Sequence, residues 1–475
     1  MTTIDLPPSG DGLAGVPDPD VSGPLLRPDS AGWSAEVSGF NTAVVHHPAL
    51  VVGAMSAQDV RAAVIYAASR HLAVSVHATG HGASAAVEAG ILISTRRMDQ
   101  VVVDPRARTA RVGAGVRMRA LIDAAAPHGL APLVGSSSDV SVVGFTLGGG
   151  LPVTGRAHGY GADHVRSVEV VTMDGRLREV DADHEPDLFW GLRGGKGNLG
   201  IVTAITVDLL PITTVYGGGI FWAEEHLPAV LDAYRAWSAD LPETCCTSVA
   251  ALRLPPLPDI PEPLRGRTLA HLRVCHLGDE AEGRDLVAAM RRVGPAVVDA
   301  VDTMPYAEVD SIHRDPDHPV PFFERSALLR DLTPDTVTAL LGRVGPGVTS
   351  PLLMGELRQL GGALGRPPAV PNAVGGRDAA YSLVAIAVLA GPAADSGPAA
   401  ADALMAAAAP WSTGQTLLNM HGRPAGEVDR ARAWDPEGHR RLGELRRRYD
   451  PAGLLQAGHV IGVPAASAAA TKTPR

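Results

Sequence analysis

Apolar positions along the 475-residue chain change their rhythm twice. Between residues 40 and 213 they fall in short runs bounded by Gly, Asp and Pro: LAVSVHA (72–78), GILIST (90–95), QVVVD (100–104) and TARVGAGV (109–116). Such runs predict brief β-strands. Residues 165–180 alternate on either side of Asp174-Gly175, the sequence of a tight hairpin. Helices are predicted over Ala57–Arg70, behind a Ser56 cap, and over Met118–Ala126. IVTAITVDLLP (201–211) reads as a strand closed by Pro211.

From 214 to 410 the runs lengthen. Strands are predicted at 217–223, 247–254, 268–276, 350–360 and 380–389. Amphipathic helices fall at 227–239, 279–293, 332–342 and 396–408. This order suits a sheet with helices on one face. A third segment, 412–463, carries the helix 435–449, stopped by Asp450-Pro451. It is too short to stand alone and should return to another domain. The ends, rich in Pro, Gly, Asp or Ala and without periodicity, read as an arm (1–36) and a tail (464–475). The expected organisation is an α+β protein with domains at 37–213 and 214–411, closed by the returning segment. The length agrees, being too great for one compact domain.

Composition narrows the function. With 45% hydrophobic residues a full core is available. There is no run of about 18 apolar residues, so no membrane span is expected. A formal net charge of −10 argues against a nucleic-acid partner. Lysine occurs only at Lys196 and Lys472; arginine supplies the remaining basic charge. Cys245, Cys246 and Cys275 are too few and too clustered for a disulfide framework or a zinc site. The N-terminal MTTIDLPPSGDG lacks the basic-then-apolar order of a signal peptide. A soluble, cytoplasmic protein is expected.

Three stretches carry candidate chemistry. The first is His77-Ala78-Thr79-Gly80-His81-Gly82-Ala83, directly after a strand, where glycines let backbone N–H groups approach an anion and leave the imidazole exposed. The bland alternative is a strand-end turn with an incidental histidine. The second is Gly135-Ser136-Ser137-Ser138-Asp139, running through Val140 and Gly144 to Leu147-Gly148-Gly149-Gly150. It places hydroxyls and free N–H groups around something anionic or planar, or is merely a glycine-rich turn. The third, Asp187 to Thr203, hides a formal G-x-G-x-x-G from Gly195 to Gly200. That fingerprint must follow a strand and open a helix to seat a pyrophosphate. Here it follows a helix-like segment and opens a strand, so a nicotinamide site is rejected.

In this order and spacing, the three stretches resemble the PCMH-type FAD-binding domain of the vanillyl-alcohol-oxidase superfamily, and within it the berberine-bridge-enzyme-like FAD-linked oxidases. The resemblance covers about residues 40–213 and resumes at Trp434…Arg441-Leu442…Tyr449-Asp450-Pro451. It implies a two-lobed FAD-binding domain and a substrate domain with an antiparallel sheet backed by helices. It implies FAD attached covalently at His81. Many members add a second link through a cysteine; Ser137 stands at that position, so a single link is implied. Ala78, Thr79, Gly80, Gly82 and Ala83 would cradle the phosphates. Ser136, Ser137, Val140, Gly144, Gly148 and Gly149 would lie near the ring, with Val140 at the edge that governs oxygen access. Gly197, Asn198, Gly200 and Val202 would hold the adenosine and ribityl parts. Asn419 resembles the asparagine beside the ring.

Flavin N5 then takes hydride while a protein base removes a proton. Glu356 is the first choice of base: it shares one face of an apolar strand with Arg358, and apolar surroundings would raise its pKa. A structural Glu–Arg pair is the alternative. Tyr306 and Glu308 are weaker candidates. Departures from the family are Pro152 after the glycine run, Leu417 where an aromatic base often stands, and a tail reading 454–461 that keeps His459. His313-Arg314-Asp315-Pro316-Asp317-His318 reads as a solvated turn, and Phe189-Trp190 as core. The expected activity is an oxidase passing hydride from an alcohol or activated C–H of a small, secondary-metabolite-like substrate to flavin and on to molecular oxygen. Flavin-dependent oxygenation or oxidative cyclisation is one alternative, and a flavin-binding protein without turnover another.

Overall fold

The computed structural model describes residues 17–462 except Pro392 and Ala457. The tail expected over 464–475, and the first 16 residues of the expected arm, lie outside the described residues. Three sheets make up the architecture, and each follows from the local pattern of the sequence.

The first contains β1 (Leu25–Leu26), β2 (Leu50–Gly53), β3 (Val74–His77) and β4 (Ile91–Ser94), in the order β1-β2-β4-β3. β2, β4 and β3 are parallel, and every residue of β2 and β4 is buried. Burial on both faces is why these runs are continuously apolar. Helix Ala57–Ala68 covers the sheet; its Ser56 cap accepts the N–H of Asp59. The arm expected over 1–36 is corrected where it is described. β1 pairs antiparallel with β2, Ser22 donates to Asp59 at 2.9 Å, and Glu36 pairs with Arg97 at 2.8 Å. A sheet edge offers partners that a Pro/Gly-rich composition does not reveal.

The second sheet is wholly antiparallel: β5 (Val101–Asp104), β6 (Thr109–Gly113), β7 (Val165–Val171), β8 (Leu177–Val180) and β9 (Ile201–Asp208), in the order β5-β6-β9-β7-β8. The hairpin expected at Asp174-Gly175 is β7–β8, with Gly175 at φ 73°. Helices Met118–Ala125, Val142–Leu147 and Pro186–Gly195 pack with this sheet, burying Phe189 and Trp190 as read.

The third sheet has eight strands: β10 (Thr214–Ala223), β11 (Cys245–Arg253), β12 (Thr268–His276), β13 (Val298–Asp299), β14 (Asp302–Pro305), β15 (Phe322–Leu329), β16 (Met354–Gln359) and β17 (Tyr381–Val388). Its order is β13-β10-β12-β11-β16-β17-β15, with β14 also on β10. Five of these strands match the sequence expectation. β13 and β14 are short, and β15 escaped because Phe322-Phe323-Glu324-Arg325-Ser326 breaks its apolar run with charge.

Directly paired residues in antiparallel strands share a face. Ile220, Leu272, Val249, Leu357, Leu383 and Ala327 face helices 227–239, 280–291, 334–344 and 393–408 in one core. Each of the Ile, Leu and Val side chains contributes roughly 1.5–3 kcal/mol. The opposite face carries three rows. One is Phe221–His271–Ala250–Glu356–Val384–Ser326. Its neighbours are Arg273–Ser248–Arg358–Ser382 and Leu252–Met354–Ile386–Glu324. This face is polar because it borders a cavity, not a helix layer.

The closing segment returns to the first two sheets. Helix Pro436–Tyr449 buries Leu442 and Leu445 in the core of the second sheet, and Trp434 Nε1 donates to the Gly194 carbonyl at 2.9 Å. Beyond it, Val74 and Gln456 exchange backbone bonds with Leu454 and Val74 at 2.8 Å.

Candidate active site

A cavity of about 1220 Å³ lies where the glycine-rich loops meet the polar face of the third sheet. It exceeds the roughly 300–1,000 Å³ of an ordinary small-molecule pocket, so it has room for a cofactor and a substrate together.

One wall is backbone. β3 ends at His77 and delivers Ala78, Thr79, Gly80, His81, Gly82 and Ala83 to the cavity. Phe40 N–H donates to Thr79 O at 2.9 Å, bringing Gly39 against Gly80. Gly80 sits at φ +74°, and a Cβ there would stand 2.5 Å from Gly39 Cα, so only glycine fits. The His81 ring stacks on Phe40 with centroids 3.7 Å apart, and its Nδ1 lies 3.0 Å from Thr79 Oγ1. Its Nε2 is buried without a hydrogen-bond partner. The imidazole expected to be exposed is therefore corrected: its side chain keeps 15% exposure. Burial, with Arg117 nearby, lowers its pKa to about 4, so the ring is neutral at pH 7.

Ser136, Ser137, Val140, Gly144, Gly148, Gly197, Gly200, Val202 and Asn419 line the same cavity. Asn419 donates to Phe145 O at 2.8 Å and accepts from Lys196 Nζ at 3.3 Å; a Cβ on Gly148 would overlap its amide. Two expected cofactor residues stand behind the wall. Gly149 turns towards Val374, at φ +102°. The amide of Asn198 is fully engaged as a staple, donating to Gly195 O (2.7 Å) and His459 O (3.3 Å) and accepting from Ile461 N–H (2.8 Å). Gly195–Gly200 does follow a helix and open a strand, β9. All three cysteines lie on β11 and β12, outside the cavity lining.

The other wall is side chains. Glu356 is fully buried. It accepts from Ser248 Oγ (2.7 Å), from Arg358 Nε (2.8 Å) and from Arg273, and His313 stands 3.9 Å away. Burial alone would raise its pKa; Arg358, Arg273, His313 and Ser248 together hold it well below the usual carboxylate range. The base expected at Glu356 is therefore corrected: its lone pairs are engaged and it does not line the cavity. Arg358 does line it, with Nε tied to Glu356. Tyr306 is corrected too. Its hydroxyl donates to Pro132 O at 2.6 Å inside the core of the second sheet, away from the cavity, and burial raises its pKa. His313, read as part of a solvated turn, is buried against Glu356, while residues 314–318 are exposed. Among the described residues no group of acidic, His or Cys side chains could hold a metal ion.

Sequence reasoning missed Glu324 and Lys196, both on the cavity wall. Burial raises the Glu324 pKa to about 7, with Lys196, Arg325 and Arg358 opposing the shift. Burial lowers the pKa of Lys196. Two signals were available: the period-2 spacing Phe322, Glu324, Ser326, and a lone lysine inside a glycine-rich run of a chain that has only one other.

A backbone cradle that a Cβ would fill, beside a buried imidazole nitrogen without a partner, fits FAD. Residues 48–181 match the family described as FAD binding domain. The chain is 28% identical over 458 residues to (R)-6-hydroxynicotine oxidase of Paenarthrobacter nicotinovorans, covering 91% of this chain and 94% of that one. Among solved structures, 6-hydroxy-D-nicotine oxidase from Arthrobacter nicotinovorans superposes with a TM-score of 0.79 at 23% identity, covering 94% and 99% of the two chains. Xylooligosaccharide oxidase from Myceliophthora thermophila gives 0.81 at 19%, covering 94% and 98%. Fold and site define an FAD-linked oxidoreductase. Residues 48–181 are thus similar to a PCMH-type FAD-binding domain, and the chain shares its overall fold with solved berberine-bridge-enzyme-like structures.

Proposed function

We propose that this protein is an oxidase that holds FAD through one covalent link at His81 and oxidises an alcohol or activated C–H of a small organic substrate, with molecular oxygen as the final acceptor. When bound, FAD supplies the two-electron acceptor for the substrate's hydride. The observation that carries the reading is the cavity itself: a neutral, stacked imidazole with a free nitrogen in a glycine-built wall, opposite a polar sheet face. Neutrality matters, since only an unprotonated ring nitrogen is nucleophilic. Ser137 and the remoteness of all three cysteines support a single link. A small side chain at Val140, on the cavity wall, supports access for oxygen. Arg358 supports recognition of a substrate oxygen, since its guanidinium is fixed by Glu356 at one edge and borders the cavity at the other.

The test is acid precipitation of the purified protein followed by peptide mass analysis. FAD mass on the peptide containing His81, lost in His81→Ala, is expected; FAD free in the supernatant overturns the covalent link. Anaerobic bleaching by a panel of benzylic alcohols, cyclic amines and aldoses, with one peroxide per turnover in air, checks the oxidase reading. A panel that never bleaches the flavin overturns it.

A further inference from the structure

We propose that Glu324, facing Lys196 across the cavity, is the group that takes the substrate's O–H or N–H proton in this site. The inference rests on the oxidase reading above and names its proton acceptor.

The position of Glu324 is fixed from the cofactor side. Phe322 N–H donates to Asn41 Oδ1 at 3.1 Å, and Val320 N–H donates to Phe40 O at 2.9 Å. The start of β15 is thereby tied to the loop that stacks on His81. Phe322, two residues before Glu324 and on the same face, lies 6.4 Å from the Phe40 ring, and Phe40 lies 3.7 Å from His81. Lys196 approaches from the opposite wall. Its Nζ is 3.1 Å from where a Cβ of Gly82 would stand and 3.3 Å from Asn419 Oδ1. Glu324 and Lys196 thus flank the space next to the attachment histidine.

Chemistry singles out Glu324 among the cavity carboxylates. Glu88, Asp259, Asp315 and Asp317 also line the cavity, but all four are exposed to solvent. Glu356 is saturated by its donors. Glu324 is sheltered, and among the described residues no side-chain donor bonds its carboxylate, which leaves both oxygens for a ligand. Its charged neighbours come from every side: Arg325 on its own strand, itself paired with Asp402 at 2.9 Å; Arg358 on β16, paired with Glu356; and Lys196 across the cavity. On the returning segment, His459 faces Lys196 and is held neutral by burial, and His421 lies against Asp429. A carboxyl group that titrates near neutrality is well matched to general-base work. In the step, the substrate carbon gives up a hydride to bound FAD, the electron pair of its O–H or N–H bond becomes the new C=O or C=N bond, and the proton goes to Glu324. The positive charge of protonated Lys196 favours the ionised form of Glu324 and opposes the upward push of burial.

The test uses holoenzyme. In wild type labelled with carbon-13 at the glutamate carboxyl, one sheltered carboxyl should titrate near pH 7; in Glu324→Gln that resonance should be gone. Lys196→Met should move its midpoint to higher pH. With the panel compound that bleaches wild type fastest, Glu324→Gln should slow anaerobic flavin reduction on the order of a hundred- to ten-thousandfold at saturation and abolish the rise of rate with pH through about 7. Glu324→Asp should retain that rise. A Glu324→Gln protein that keeps its FAD and is reduced at the wild-type rate overturns the assignment, as does a labelled spectrum without such a carboxyl. Wild type that never bleaches condemns the oxidase reading instead, and the labelled titration tells the two failures apart.

Discussion

The two walls of the cavity are built on opposite principles. One wall is mostly backbone: loops 78–83, 135–150 and 194–200 are shaped by glycines and present carbonyls and N–H groups, with the His81 imidazole and the Lys196 amine among them. The sheet wall is side chain: three cross-strand rows place Glu324, Glu356, Arg273, Arg358 and His271 on one face of eight strands. Glu324 and Glu356 sit one row apart on that face, and their carboxyl groups are pushed in opposite directions. A backbone wall fixes what it holds by where side chains are missing. A side-chain wall tunes each group by its neighbours, so identical residues take different roles.

The largest effect that would sharpen this contrast is at Glu356. Glu356→Gln leaves Arg273 and Arg358 buried without their carboxylate, and should cost about 3–5 kcal/mol in denaturant unfolding. Its folded pKa lies below the unfolded one, so its contribution is present above about pH 4.5 and lost as the pH falls further. Unfolding midpoints of wild type should therefore drop on acidification more steeply than those of the variant.

Glu324 should show the reverse sign. Its folded pKa of about 7 lies above the ordinary carboxyl value of 4.5, so wild type loses up to about 3 kcal/mol of stability as pH rises between them. Glu324→Gln should gain stability relative to wild type from pH 5 to pH 8 in paired thermal melts. A parallel pH response of the two variants would break the comparison. On the backbone wall, Gly80→Ala meets Gly39 Cα with φ at +74°, and should cost about 1–3 kcal/mol. FAD content per chain after purification should fall with it.

How much was legible follows the same division. The glycine and histidine loops, the hairpin at Asp174-Gly175 and five of the eight strands of the third sheet could be read because period and turn chemistry are local. Cradle residues from Ala78 to Ala83, Ser136, Ser137, Val140, Gly148 and Asn419 do line one cavity. Asn198 misled because a short polar side chain beside glycines suits a ligand and a staple equally. β15 was missed because a cavity-facing edge strand keeps charge where a core strand would be apolar.

The chain's spacing of glycines and alternation of apolar residues, taken alone, determined most of the elements, the glycine-rich loops and the helix-backed sheet, since each depends on dihedral freedom or periodicity within a few residues. Only the tertiary structure decided which glutamate is clamped and which is left open. That choice depends on cross-strand register and on Lys196 arriving from the turn that precedes β9, and the electrostatic environment of a carboxylate is a property of neighbours far away in sequence.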